Sequence, residues 1–250
     1  MMRRMADAPE VRVRDDVRAA LLAIGRVLTF RASRNEYCDA GPTRVVVGLL
    51  LTWLAGVGRH WDDPRAKLVQ RLGVGSVAYV FALAFVLWLI VAPLRPQDWS
   101  YRRVLTFVSS TAPPAFLYAI PVERWMSTSA AATANIWFLA VVAAWRVALL
   151  FRYLRSFACL GPVRIAVVGL LPLAMIVSAL TALNLQHVVF RIMGGLRDSE
   201  RSPHDGAYGV LFVLTVLSVY AAVPLVLAYG WIVVDDVLER RAKRNRPPPV

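Results

Sequence analysis

The chain has 250 residues, of which 58% are hydrophobic and 18% are charged, and its formal net charge is +13. Such an apolar composition excludes an ordinary soluble domain and predicts an integral membrane protein. Nearly all of the basic residues are arginines, since Lys67 and Lys243 are the only lysines. In a membrane protein this excess indicates topology and contact with anionic lipid headgroups, and no recognisable module predicts nucleic-acid binding.

Residues 1–44 are predicted to form a cytoplasmic N-terminal region with an amphipathic helix over residues 17–30. On a helical wheel Arg18 and Arg26 fall on one side, whereas Ile24 and Val27 fall on the other. Two arrangements fit this pattern. The helix lies in the inner-leaflet interface with its arginines at anionic lipid, or it packs on the protein's own cytoplasmic loops.

Stretches without charged residues predict an all-α bundle of six membrane-spanning helices over residues 45–234, followed by a basic cytoplasmic tail, residues 235–250. The predicted spans cover about residues 45–60, 72–94, 104–122, 125–150, 165–186 and 207–234. The first is short, so its length alone does not distinguish a crossing from a re-entrant segment.

The distribution of basic residues favours a full set of six crossings. With six spans, the N-terminal region, the second and fourth loops and the C-terminal tail share one side and hold most of the arginines. Without the first crossing this asymmetry is much weaker. The sequence therefore predicts cytoplasmic N and C termini, and the arginine-rich composition indicates a bacterial protein of the inner membrane.

A polar site within the membrane is predicted where prolines interrupt the third span. Each proline frees a backbone carbonyl that must find another donor. Arg146, in the fourth span, is the only charge placed in the predicted hydrocarbon. Either the break is a structural kink and Arg146 reaches the inner surface, or the region forms a substrate path. The path residues would be Ser110, Thr111, Pro113, Pro114 and Arg146.

Histidine and aspartate side chains in the predicted outer loops form a second candidate site. The candidate metal ligands are His60, Asp62, Asp63, His204 and Asp205. Imidazole nitrogen and carboxylate oxygen are suitable metal ligands, although no known ligand spacing is present. No cofactor is expected apart from this candidate metal.

Three stretches of the sequence resemble uncharacterised multi-pass membrane proteins of bacteria: residues 28–51, 58–73 and 99–125. The general layout and residues 101–121 are also similar to the Yip1-type family. In that family a cytoplasmic N-terminal region precedes about five clustered spans, and the resemblance implies a role in membrane organisation. The predicted sixth span and the outer loop, residues 184–207, depart from the family, so no functional residue is carried over.

The sequence thus predicts a non-enzymatic membrane component that organises lipids or protein partners. A channel or uncoupled transporter through the third and fourth spans is the alternative, and a metal-dependent enzyme on the outer face is the third choice. The expected partners are membrane lipids with anionic headgroups, other proteins or a second copy of the chain.

Overall fold

The computed structural model describes residues 8–59, 68–182 and 206–245, and all the regular structure within those ranges is helical. The helices are α1 (Ala8–Leu28), α2 (Arg34–Cys38), α3 (Pro42–Gly58), α4 (Leu68–Arg71), α5 (Val74–Val91), α6 (Tyr101–Ser110), α7 (Thr128–Ser156), α8 (Pro162–Ala182) and α9 (Gly206–Arg244). Short 3₁₀ turns cover Ala92–Leu94, Pro113–Ala119 and Val122–Arg124. The prediction of an all-α fold is confirmed for the described residues.

Four helices are long and apolar enough to cross a membrane: Val74–Leu94, Thr133–Ser156, Pro162–Ala179 and Thr215–Ala242. At a rise of 1.5 Å per residue the shortest is about 27 Å long, close to the thickness of a bilayer's hydrocarbon core. They fall within or overlap the predicted second, fourth, fifth and sixth spans. These four helices indicate a multi-pass membrane protein, as the composition predicts.

The first predicted span is a shorter apolar helix. α3 begins at Pro42, a residue suited to the first turn because its missing N–H would have no helical partner there. Its 17 residues extend over about 25 Å. It packs against α1, α5 and α6, and so occupies the centre of the N-terminal half of the bundle.

The structure differs from the prediction at the third span, residues 104–122. Here α6 ends at Ser110 after 10 residues, and the chain continues as the 3₁₀ turn Pro113–Ala119. A continuous helix would need the N–H groups of residues 113 and 114, which proline lacks. The segment is therefore a half-helix followed by irregular backbone, packed between α3 and α7.

The amphipathic N-terminal helix is longer than predicted and lies on the apolar helix α3 rather than on loops. α1 packs on α3, and its buried face includes Ala20, Ile24 and Val27, which are at most 5% exposed. The opposite face leaves Leu21 and Leu22 about half exposed. The rest of the protein therefore covers one apolar face of α1, whereas the apolar side chains on its other face remain exposed.

Gly48 is the point of closest approach between α3 and α6. A Cβ added there would lie 2.5 Å from the Oγ and 2.9 Å from the Cβ of Ser109. Ser109 is fully buried and its hydroxyl donates to the Thr106 carbonyl at 3.1 Å, so it cannot turn away freely. The small residue lets the two helices meet nearly backbone to backbone.

We expect Gly48→Ala to destabilise the protein by about 1–3 kcal/mol, because α6 must move away from α3 to admit the methyl group. Gly230→Ala in α9 is the matched control, since a Cβ there meets nothing within 4 Å. Thermal unfolding in detergent should show a lower midpoint for the first variant only. Equal midpoints for the two variants would contradict this packing.

Candidate functional site

The break at the end of α6 is closed by a side chain from another helix. In place of the helical pattern, the Ala115 N–H donates to the Ala112 carbonyl at 2.9 Å. The Thr111 carbonyl thereby loses its helical donor, and Arg146 of α7 donates its Nε–H to it at 3.0 Å. Arg146 therefore joins the middle of the long helix α7 to the point where the third segment stops being helical.

The hydroxyl groups predicted to line a path are bonded within their own helix. Ser110 donates to the Thr106 carbonyl at 2.6 Å, and Thr111 donates to the Val108 carbonyl at 2.7 Å. Both residues are buried, as is Pro114, whereas Pro113 is half-buried. The two hydroxyls therefore serve carbonyls of the preceding turn, and the substrate path stays a prediction.

Arg146 binds a backbone carbonyl of the neighbouring segment, whereas one interpretation of the sequence has it reach the inner surface of the membrane. It lies 10 residues from the end of α7 at Ser156, a distance of about 15 Å along the helix, and its guanidinium is directed to α6. Its electrostatic contacts are with Tyr79 and Tyr118. The ring of Tyr118, in turn, lies 5.3 Å from the guanidinium carbon of Arg59 at the end of α3. A line of cationic and aromatic groups thus follows the 3₁₀ turn Pro113–Ala119.

The predicted metal ligands lie outside the residues that the structure describes: His60, Asp62, Asp63, His204 and Asp205. Among the described residues no group of three or more histidine, cysteine or acidic side chains is close enough to hold a metal ion. The outer-loop metal site stays a prediction.

The segments predicted to share the cytoplasmic side do meet at one end of the bundle, where α5, α7 and α9 end and α6 and α8 begin. We call this the basic end. Four contacts join its parts: Arg34 to Gln97 at 3.2 Å, Arg103 to the Cys38 carbonyl at 3.0 Å, Arg164 to Asp236 at 3.3 Å and Arg240 to the Leu94 carbonyl at 2.8 Å. Arg95, Arg102 and Arg155 are exposed there.

A buried arginine holds the short helix α2 in place at this end. Arg44 is only 4% exposed, and its Nη1 donates to the carbonyls of Glu36 and of Asp39, the latter at 3.3 Å. These two carbonyls flank the C-terminal part of α2. One guanidinium thus donates hydrogen bonds to carbonyls that have no helical donor at the helix end. Arg103 binds the Cys38 carbonyl between them.

Five aromatic rings, one of them from α2 itself, pack together at the basic end: Tyr37, Trp99, Phe107, Tyr153 and Phe157. Phe107 and Tyr153 are stacked with ring centroids 4.0 Å apart, and Tyr37 meets Tyr153 edge-on at 5.2 Å. Trp99 lies 5.9 Å from both Tyr153 and Phe157. This aromatic cluster joins α2, α6, α7 and the loop before α6 into one core at the basic end.

Two groups in α2 have shifted pKa values. Burial raises the pKa of Glu36, but hydrogen bonds from the backbone N–H and hydroxyl of Ser33, together with the charge and hydrogen bond of Arg26, outweigh it and lower the pKa overall. The resulting stabilisation is present above the ordinary carboxyl pKa and is lost as the pH falls through the lowered one. Burial also raises the pKa of Tyr37, so its phenol stays protonated at neutral pH.

The chain matches no family model, no curated protein and no solved structure. The resemblance to Yip1-type proteins therefore stays a prediction, and the four apolar helices alone define the class, a multi-pass membrane protein.

Sequence reasoning missed the roles of Arg44 and of the Tyr37–Tyr153 pair. A signal for α2 was present, because Ser33 and Glu36 have the spacing of a capping box, and both hydrogen bonds of that motif are formed. Nothing in the local sequence around Arg44 indicates that it folds back onto α2 instead of extending towards lipid headgroups.

The Arg146 contact can be tested by a double-mutant cycle with the proline pair. In Pro113→Ala/Pro114→Ala the helix can continue, so that the Ala115 N–H returns to the Thr111 carbonyl and Arg146 becomes dispensable there. We expect Arg146→Met to cost about 1 kcal/mol more in the native background than in the alanine background. The cycle cancels the cost of placing the charge in the membrane, since that change is common to both backgrounds.

The measurement is equilibrium unfolding in detergent, with Arg155→Met as the control for loss of an exposed arginine. Equal effects of Arg146→Met in the two backgrounds would show that the arginine does not serve the helix break.

Proposed function

We propose that the chain is a non-enzymatic protein of a bacterial inner membrane that gathers anionic lipids around its basic end. The observation that carries this proposal is the position of α1. Its docking on α3 buries one apolar face and leaves Arg14, Arg18, Leu21 and Leu22 exposed on the outside of the bundle. Mixed basic and apolar side chains are what a helix needs to bind lipid headgroups and the adjoining acyl chains.

In the proposed topology the chain crosses the membrane six times. Besides the four long helices, α3 and the third segment would each cross, the latter as α6 followed by its 3₁₀ turns. Backbone that is not α-helical is tolerated at membrane depth when protein surrounds it, and this segment lies between α3 and α7. An even number of crossings accounts for the contacts that bring the N-terminal helices and α9 to the same end.

The basic end would face the cytoplasm. Arginine-rich loops are retained on that side during insertion, and the exposed Arg95, Arg102 and Arg155 belong to such loops. The cytoplasmic leaflet also carries anionic lipid, which attracts basic side chains at its surface by about 1 kcal/mol each. Topology and lipid binding are thus two results of the same charge distribution.

Lipid analysis of the purified protein tests this function. We expect Arg14→Gln/Arg18→Gln to lower the ratio of phosphatidylglycerol to phosphatidylethanolamine that co-purifies in mild detergent by several-fold, because two headgroup contacts are lost. The matched control is Arg71→Gln/Arg124→Gln, which removes two arginines outside the basic end.

High salt should reduce the lipid ratio of the native protein towards that of the Arg14→Gln/Arg18→Gln variant, since contacts at the surface are screened. An equal loss in the control, or an unchanged ratio in the α1 variant, would refute lipid organisation by α1.

A further inference from the structure

Three buried polar atoms lack a hydrogen-bond partner within the protein, among the residues that the structure describes, and all three belong to the basic end. They are the hydroxyl oxygens of Tyr37 and Tyr153 and the Nε of Arg44. The residues are 3%, 0% and 4% exposed, so solvent outside the protein does not reach these atoms. Buried polar groups without a partner are rare in folded proteins, and three in one place call for a common explanation.

The three side chains are neighbours. The rings of Tyr37 and Tyr153 meet edge-on with centroids 5.2 Å apart. Arg44 binds the carbonyls of Glu36 and Asp39, which lie on either side of Tyr37 in the chain, and it interacts electrostatically with both tyrosines. Each comes from a different element, namely α2, α3 and α7.

The chemistry of the three groups determines which kind of hydrogen-bond partner they lack. The Nε–H of an arginine can only donate a hydrogen bond, and a protonated phenol has one proton to donate. The common missing partner is therefore an acceptor. It must be small, because the aromatic cluster surrounds the tyrosines on several sides.

Charged side chains of both signs surround the three groups, in addition to the apolar rings. Glu36 interacts electrostatically with Tyr37 and Arg44, and Asp39 interacts with Arg44. Arg103 interacts electrostatically with Tyr153, and Arg152 interacts with Tyr37. Buried water molecules commonly complete polar groups that would otherwise be unpaired. An anion is the other candidate, because Arg44, Arg103 and Arg152 each interact with one or both of the two tyrosines.

We propose that Tyr37, Arg44 and Tyr153 form a closed internal site that binds one small hydrogen-bond acceptor, a water molecule or an anion of the size of chloride. The bound acceptor fastens α2 to α3 and α7. It thereby holds the N-terminal helices on the bundle, which is a role that does not depend on whether α1 binds lipid.

The sign of a Tyr→Phe effect tests the site, because phenylalanine keeps the ring packing and removes only the hydroxyl. If the hydroxyl binds an acceptor, Tyr37→Phe and Tyr153→Phe each lower the apparent unfolding temperature of the full-length protein in detergent, by about 2–4 °C. If the hydroxyl is unpaired in a dry core, its removal leaves the temperature unchanged or raises it, and the proposal is overturned.

Two tyrosines provide matched controls. Tyr229→Phe removes a hydroxyl that donates to the Ile90 carbonyl at 2.7 Å and sets the scale for losing a satisfied bond. Tyr220→Phe removes a hydroxyl from a residue that is 78% exposed and should have no effect.

The double variant Tyr37→Phe/Tyr153→Phe tests whether the two hydroxyls share one acceptor. Sharing predicts a loss clearly smaller than the sum of the single losses, because the first substitution already weakens binding of the acceptor. Strict additivity would overturn a common site.

Replacing chloride by gluconate at constant ionic strength distinguishes the two sources of the acceptor. A lower unfolding temperature in gluconate for the native protein, absent from Tyr37→Phe/Tyr153→Phe, identifies an anion. The same temperature in both salts identifies a water molecule.

Discussion

A buried backbone carbonyl that lacks a helical donor needs another hydrogen-bond donor, and the rest of the structure depends on how this need is met. The protein meets it with side-chain donors from neighbouring elements. Arg146 binds the Thr111 carbonyl at the break of the third segment. Near the end of α5, Tyr229 of α9 donates its hydroxyl to the Ile90 carbonyl at 2.7 Å. Each such bond joins two helical elements. The hydrogen bonds that these carbonyls require therefore also hold the helices of the bundle together.

Arginine serves two purposes in this arrangement. Arg44, Arg103 and Arg240 donate to carbonyls at helix ends and hold the basic end together. Arg14 and Arg18 of α1 and Arg95, Arg102 and Arg155 near the helix ends are instead exposed on the surface. Part of the high arginine content therefore serves the internal hydrogen bonding of the bundle, because a guanidinium has five donors and keeps its charge.

Hydrophobic stretches were sufficient to predict the helical class and the four long spans, because the length of an apolar run is a local property of the sequence. The third span was harder to predict. Residues 104–122 have the composition of a continuous span, but Pro113 and Pro114 together end α6 and produce 3₁₀ turns. The resulting structure depends on α3 and α7, which enclose the segment.

The contact partners of α1, Arg44 and Arg146 were not predictable for a related reason. An amphipathic pattern gives the faces of α1 but not the surface that covers them, and here that surface is α3. The choice of Arg146 between the membrane surface and the Thr111 carbonyl likewise depends on how α6 and α7 pack. Such contacts join residues far apart in sequence, and no local pattern encodes them.

Thiol labelling in intact cells tests most directly whether the basic end faces the cytoplasm. Cys159 is an exposed native thiol in the loop between α7 and α8 at the basic end. Met126→Cys, made in a Cys38→Ser background, places an exposed thiol just before the opposite end of α7. The account predicts that a membrane-impermeant maleimide labels position 126 in intact cells and Cys159 only after permeabilisation. Labelling of Cys159 in intact cells with position 126 protected would contradict it.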